Sequence, residues 1–323
     1  MTQARDVLDL VRQRCAEVAR RARRVRIDDA RLRALAAELG STPPPESHLD
    51  PAHQDLGSAE ATLAYVLALD AINFGSGWFP HLHKRPGLSG YFTVATGLRE
   101  RFEAKGAFRA EELRGIGAAE CAAVFGQDLR VPEAAELMGL FARALAELGE
   151  FVATRYAGRF EGPVEEAGGS AARLVEILAR MSFYRDVARY EELEVPFFKR
   201  AQLTAADLAA AFRGRGLGCF RDLDRLTLFA DNLVPHVLRR EGVLVYEESL
   251  AARVDAEQAI EAGSPEEVEI RAGAVDAVER CVALIRRRGG SATAQALDYV
   301  LWNRGQRADM KAHPRHRERS TYY

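Results

Sequence analysis

Lysine is almost missing from this chain of 323 residues: only Lys84, Lys105, Lys199 and Lys311 occur, and arginine supplies the rest of the basic side chains. The formal charge is −2, so no global field draws the molecule onto a nucleic-acid polymer or an anionic membrane. Cysteine is as sparse. Cys15, Cys121, Cys219 and Cys281 lie far apart among apolar residues without a CxxC pair, which reads as buried free thiols in a reducing compartment. Also missing are an apolar leader and any run of about 18 apolar residues, so neither a signal peptide nor a spanning helix is expected. The expectation is a soluble, cytoplasmic monomer acting on a small molecule, with no membrane or nucleic-acid partner and no cofactor.

Period-two alternation is absent too, and Gly242-Val-Leu-Val-Tyr246 is the only strand-like fragment. Helical spacing of apolar residues covers most of the remainder. It predicts helices over 5–25, 29–39, 58–71, 91–104, 109–125, 133–156 and 170–185, one starting near Phe198, one from the capping box Ser264-Pro-Glu-Glu267 to about Arg288, and a last one capped by Ser291. The fold class is therefore all-α. Residues 1–323 read as one compact unit, or as two lobes (about 1–190 and 191–310) with the active site between them, and 307–323 as a basic, frayed tail. The run Arg20-Arg-Ala-Arg-Arg-Val-Arg26 is followed by Asp28 and Asp29 and reads as a solvated face.

The chain is organised around Leu226-Thr-Leu-Phe-Ala-Asp-Asn-Leu-Val-Pro-His236. Leu226, Phe229, Leu233 and Val237 recur at helical spacing, so most of this stretch should be buried. Pro235 breaks a continuous helix, which predicts one helix ending near Phe229 and another capped by Asp231 or Asn232. A carboxylate at that junction is half-buried and faces free backbone N–H groups; it is an ordinary cap or the reactive group of a site. Lys199, in a first helical turn, opposes the helix dipole and calls for an anionic partner elsewhere. On the last helix Asp298 and Trp302 are four apart, as are Tyr299 and Asn303, with Leu297, Val300 and Leu301 opposite. That stripe serves a ligand or a hydrogen-bonded helix contact. Asn73-Phe-Gly-Ser-Gly-Trp-Phe-Pro80 is a hydrophobic plug or a stacking surface for a planar ligand. His48 follows Pro43-Pro-Pro45 on a stiffened loop and could line a pocket. His81 and His83 have no third ligand nearby, so no metal is expected.

Helix, glycine turn (Gly214-Arg-Gly-Leu-Gly218), helix and buried Asp is the order in helix-hairpin-helix DNA glycosylases, which also pair a Lys with an Asp. A more specific resemblance is carried by four stretches in order. They are Asp70-Ala-Ile-Asn-Phe74 with its aromatic turn, Phe198-Lys-Arg-Ala-Gln202, Leu226 to Asp231 with Val234-Pro235, and Leu297-Asp-Tyr-Val-Leu-Trp302. Over about residues 48–303 the chain resembles the queuosine salvage family, the queuosine 5'-phosphate N-glycosylases, departing from its pattern at Gly75-Ser-Gly77 and Asn232-Leu233.

The resemblance implies a helical fold similar to that of DNA glycosylases. It implies hydrolysis of the N-glycosidic bond of queuosine 5'-monophosphate, giving queuine and ribose 5-phosphate. By the same resemblance Asp231 is the catalytic carboxylate, and His48, Phe229, Asp298, Tyr299 and Asn303 contact the base. The chemistry suits these residue types. Cleavage builds positive charge at C1', which a fixed carboxylate stabilises while orienting water, with no metal required. Queuine lacks the ring N7 that purine hydrolases commonly protonate, which shifts the burden onto Asp231. Its side chain carries a cationic amine that suits Asp298 with Tyr299, and Phe229, Tyr299 or Trp302 can sandwich the ring. Lys199 and His236 are expected at the 5'-phosphate, and Asn73 and Phe74 at the substrate. The rival readings are a DNA-base N-glycosylase and a non-catalytic protein that binds modified nucleosides.

Overall fold

Asp6 begins the regular structure: its carboxylate accepts the amides of Leu8 and Asp9, both at 3.1 Å, and so caps the first helix. The structure is a computed structural model and describes residues 6–41 and 55–323; His48 lies outside the described residues. In chain order the elements are α1 (Val7–Arg21), β1 (Val25–Ile27), α2 (Asp29–Ser41), α3 (Ala59–Ala71), α4 (Gly90–Lys105), α5 (Ala110–Arg114), α6 (Ala118–Phe125) and α7 (Pro132–Tyr156). There follow α8 (Gly162–Ala167), α9 (Ala171–Leu178), β2 (Val187–Tyr190), β3 (Leu193–Pro196), α10 (Lys199–Ala211) and α11 (Leu233–Arg240). The chain ends with β4 (Leu244–Tyr246), α12 (Glu248–Asp255), α13 (Pro265–Arg287), α14 (Ala294–Gly305) and α15 (Ala308–Lys311).

The protein is mostly helical, as the periodicity predicts. It also has two small antiparallel ribbons, β1 with β4 and β2 with β3. Only β4 was foreseeable. The other strands are three or four residues long, too short for an alternation to register, and the β2–β3 turn puts Glu191 at φ +52° without a glycine to announce it. The helix expected over 109–125 is divided between Arg114 and Ala118, and the last long helix starts at Ala294 with Thr293, not Ser291, as its cap.

The chain forms two compact units. The first comprises residues 6–41, 186–202 and 222–318. Its centre is α13, which packs against α1, α2, α11, α14 and both ribbons. Half of the expected capping box forms: Ser264 Oγ accepts the Glu267 amide, while Glu267 Oε2 accepts the amide of Gly263, one residue before the cap, at 3.2 Å. One turn on, buried Glu269 accepts the amides of Arg24 (2.6 Å) and Val25 (3.0 Å) and the Tyr190 hydroxyl (2.8 Å). That carboxylate fixes where α1 gives way to β1. Arg21, Arg23 and Arg24 pair with Glu191, Glu192 and Glu247, so the basic run is a solvated, internally neutralised face.

The C-terminal segment departs from expectation. Residues 316, 318 and 320 are buried while 317 and 319 are more open, an alternation that seats the segment instead of letting it fray. Arg317 C=O accepts the Ile260 amide at 3.0 Å, and burial pushes the His316 imidazole down to about 3, a neutral ring 3.6 Å from Glu318. A run of charged letters looks solvent-bound, but the alternate side chains have somewhere apolar to go.

The second unit comprises residues 55–185, 203–221 and 319–323, built on α7 with α3, α5, α6 and α8 against it. Here the Asn73–Pro80 turn is a plug. Phe74 packs edge-on to Phe141 at 5.2 Å and tilted against Phe183 at 6.0 Å, and the Trp78 indole donates to Glu136 at 2.8 Å. Gly75, at φ +110°, donates to the Tyr323 carbonyl at 3.1 Å, and a Cβ there would meet Leu137 at 2.8 Å. Phe74 is 2% exposed, so its expected place at the substrate is corrected: the ring is core. Among the described residues no helix is long and apolar enough to cross a membrane.

Candidate active site

Every residue from Leu226 to Leu238 is buried except Asp231. The expected helix up to Phe229 does not form. Residues 223–225 make one 3-10 turn and 226–230 form no regular element, because buried Gln202 competes for the backbone. Its Oε1 accepts the Thr227 amide at 2.8 Å, and its Nε2 donates to the Thr227 hydroxyl at 2.8 Å and to the Phe197 carbonyl at 2.9 Å. The chain turns at Asp231, whose Oδ1 accepts the amides of Leu233 (2.7 Å) and Val234 (3.3 Å) at the start of α11. Pro235, third in that helix, falls where an N–H has no intrahelical acceptor and costs nothing. Asp231 is thus both cap and the one polar group of the stretch left open.

The α14 stripe meets this junction through Asp298 and Tyr299. Asp298 Oδ1 accepts the Phe229 amide at 3.2 Å, and the Tyr299 ring lies edge-on to Phe229 with centroids 6.4 Å apart. Burial, and then the charge of Asp231, push the Asp298 carboxyl well above its ordinary value; the Phe229 amide and Lys199 pull the other way. Two carboxyls therefore sit within electrostatic reach of each other, and the surroundings favour the protonated form of Asp298. Tyr299 is buried and its hydroxyl accepts from Gln295 Nε2 at 3.1 Å.

Lys199 is placed by a buried knot that sequence reading missed. Arg271, on α13, donates to both oxygens of Asp186 at 3.0 and 2.6 Å, to the Ala230 carbonyl at 3.0 Å, and stacks on Phe197 with its guanidinium carbon 3.9 Å from the ring centroid. Asp186 Oδ2 in turn accepts the Lys199 amide at 3.1 Å. One guanidinium thus ties the peptide before Asp231 to the first turn of α10. Phe198, at φ +49°, stores strain at the same place. The signal was available: Val268, Arg271, Val275 and Val278 share a helical face, so Arg271 is a charge at a core position.

The remaining candidates are distributed as follows. Trp302 is half-buried, whereas Asn303 is exposed. Asn73 is half-buried on the second unit. His236 is corrected as a phosphate ligand. It is 2% exposed, its Nε2 lies 3.0 Å from the Met310 carbonyl, and burial holds it below its ordinary value, so it is a neutral ring anchoring the C-terminal segment. A cation that sequence reading did not single out, Arg315, is half-buried and within electrostatic reach of Asp231. Burial lowers its ordinary value, and the first charge that restores it is Asp231. Among the described residues no group of three or more His, Cys, Asp or Glu side chains is arranged to hold a metal ion.

Comparison with known proteins gives a consistent result. The family model described as queuosine salvage protein matches residues 52–323. A protein of Sphaerobacter thermophilus named queuosine 5'-phosphate N-glycosylase/hydrolase is 38% identical over 269 residues, 82% of each chain. Proteins of the same name from Dictyostelium discoideum and Mus musculus are 32% identical over 266 residues and 30% over 285. These cover 82% and 83% of this chain, and 79% and 83% of theirs.

Proposed function

The chain belongs to the queuosine salvage protein family, and from that membership we propose that it hydrolyses the N-glycosidic bond of queuosine 5'-monophosphate, releasing queuine. The observation that carries the assignment is the isolation of Asp231 as the one open side chain in a buried stretch, held by two amides of α11 and within electrostatic reach of Asp298, whose carboxyl burial pushes up.

In the proposed reaction the bond between C1' and the base nitrogen breaks and its electron pair leaves with the base. Positive charge at C1' faces Asp231, which stabilises it and orients water. Water adds its oxygen to C1'. One of its protons passes to Asp231 and the base nitrogen takes up the equivalent, so ribose 5-phosphate and queuine result, the queuine ring neutral and its side-chain amine still cationic. Asp298 with its proton on donates a hydrogen bond to the departing base, a use that suits a neutral carboxyl better than an ion pair with the substrate's amine. Phe229 and Tyr299 wall the base, Trp302 extends that surface, and Lys199 sets the field at Asp298. His48 joins the proposal on the family resemblance alone.

A helical architecture akin to helix-hairpin-helix glycosylases is the finer reading of the fold. It is supported by the order of α10, the glycine turn and the catalytic Asp, with the second helix reduced to one 3-10 turn. The near-neutral net charge favours a nucleotide over duplex DNA as substrate. We read the protein as a cytoplasmic monomer without cofactor. No cysteine is bonded and three are buried, while Cys219 is exposed, against expectation. Gel filtration tests the oligomeric state.

The test of function is incubation with queuosine 5'-monophosphate, queuosine and GMP in parallel, followed by chromatography for free base. Queuine from the first and no guanine from GMP is the expected result. Tight binding without any base released over hours would instead identify a binding protein and end the enzymatic reading.

A further inference from the structure

We propose that Arg12 is a positioning residue for the reaction: it fixes the entry of the stretch 226–230 and, through that stretch, the place of Asp231. The inference rests on the reading of Asp231 as the reactive carboxylate. It adds to the site a residue of α1, ahead of the residues 52–323 that the family model matches.

Residues 226–230 form no regular element, so nothing within the stretch fixes its path. Side chains from other elements hold its main-chain groups instead. Gln202 accepts the Thr227 amide, Asp298 accepts the Phe229 amide, and Arg271 donates to the Ala230 carbonyl. The entry belongs to Arg12, whose Nη2 donates to the Arg225 carbonyl and lies 3.5 Å from that of Leu226. The grip is reciprocal. Asp6 and Asp9, at the start of α1, accept from the Arg225 guanidinium. Residue 225 is thus held by main chain and side chain from one helix.

Arg12 is itself fixed. Leu8, Val11 and Cys15 are buried on α1, which packs against α13, and Arg12 Nε pairs with Glu279 of α13 at 3.0 Å. The guanidinium has separate donors for the carboxylate and for the carbonyls, so one side chain sets the spacing of α1, α13 and the stretch. Arg271 clamps the exit and Arg12 the entry, with only 226–230 between them. The two clamps differ in what their loss leaves behind. Arg271 is buried with Asp186, whereas 27% of the Arg12 side chain is open and 22% of Glu279. Burial already pushes the Glu279 carboxyl up against the pull of Arg12; without Arg12 the balance moves further toward its neutral form. Removing Arg12 therefore loosens the stretch and spares the fold. A misplacement of about 1 Å at a reacting group costs on the order of 100-fold in rate, so a loose entry reads out in turnover.

The experiment measures kcat, KM and melting temperature on queuosine 5'-monophosphate for Arg12→Ala and Arg12→Lys, each alone and combined with Asp231→Asn. Arg12→Ala should lower kcat by about 10- to 100-fold, with a smaller change in KM because Phe229 keeps its own tie to Asp298. Arg12→Lys keeps a cation beside Glu279 and hence the melting temperature. A single ammonium does not reproduce the fork, so its kcat should fall between those of Arg12→Ala and the parent. Guanidinium chloride at a non-denaturing concentration should restore part of the Arg12→Ala turnover, and sodium chloride at the same concentration should not. In the Asp231→Asn background Arg12→Ala should cost no further turnover, since a residue acting through Asp231 loses its effect with it. Parental kcat in either single variant, or a loss that repeats in full in the Asp231→Asn background, overturns the positioning role. Undiminished turnover in Asp231→Asn alone would instead remove the reading beneath it, and no queuine from the unaltered protein would remove the hydrolase.

Discussion

Asp186 and Asp298 are equally buried, at 2% exposure each, and differ in almost everything else. Asp186 receives both arms of the Arg271 fork and the Lys199 amide. Asp298 receives one amide, from Phe229, and has another carboxylate for a neighbour. The first has donors on both of its oxygens. The second is left short of donors, so its carboxyl is pushed above the ordinary range toward the protonated form. Burial alone therefore does not mark a functional acid; the balance between burial and pairing does.

Breaking the well-paired side should have the largest effect. Arg271→Leu leaves Asp186 buried without a counter-charge and the Ala230 carbonyl without a donor, which should cost about 3–5 kcal/mol of stability. Chemical denaturation read by circular dichroism measures it. The double change Arg271→Met with Asp186→Leu sharpens the comparison. It should recover part of the stability, since the Asp186 charge is gone and only Glu267, 3.4 Å from Arg271, loses a cation, but not the activity, because nothing then ties Ala230 to the start of α10. A double variant as active as the parent would make the knot irrelevant to the site.

The open side comes next. Asp231→Asn keeps a group that can accept the amides of Leu233 and Val234, so the melting temperature should stay within a few degrees. Turnover should fall by at least about 10²–10³-fold, the scale for removing one preorganised electrostatic contact. Undiminished base release by this variant would reject Asp231 as the catalytic group.

The legible parts of this chain were the long helices and the junction at Asp231, because both are encoded locally. Leu226, Phe229, Leu233 and Val237 announce burial, Pro235 announces a break, and Ser264-Pro265 announces a start. The illegible parts depend on partners distant in sequence. The irregular path of 226–230 follows from Gln202, and the setting of Lys199 follows from Asp186 and Arg271. Asp298 and Tyr299 stood out as polar residues on an apolar helix, whereas Arg315 was one arginine in a basic tail. The Asn73–Pro80 turn shows the converse error: conspicuous aromatics were offered to a ligand, and packing against Phe141 and Phe183 claimed Phe74 instead.

The smallest effects test whether Asp298 works as a neutral acid. Asp298→Asn keeps a hydrogen-bond donor of the same shape, so its activity should exceed that of Asp298→Ala by about tenfold, one donated hydrogen bond to the base. Stability against pH gives an independent reading. With its folded-state value raised, Asp298 binds a proton in the folded protein at pH values where the unfolded chain, with an ordinary Asp near 3.9, has already lost it. The folded state then holds more protons than the unfolded one, so this group's contribution falls as pH rises from about 4 toward the raised value. Asp298→Asn removes the titration. The melting temperature of the unaltered protein, taken relative to that variant, should therefore decline with rising pH across that window. A difference that stays flat, or climbs, would mean that Asp298 is ionised in the folded protein, and the contrast with Asp186 would dissolve into two paired carboxylates.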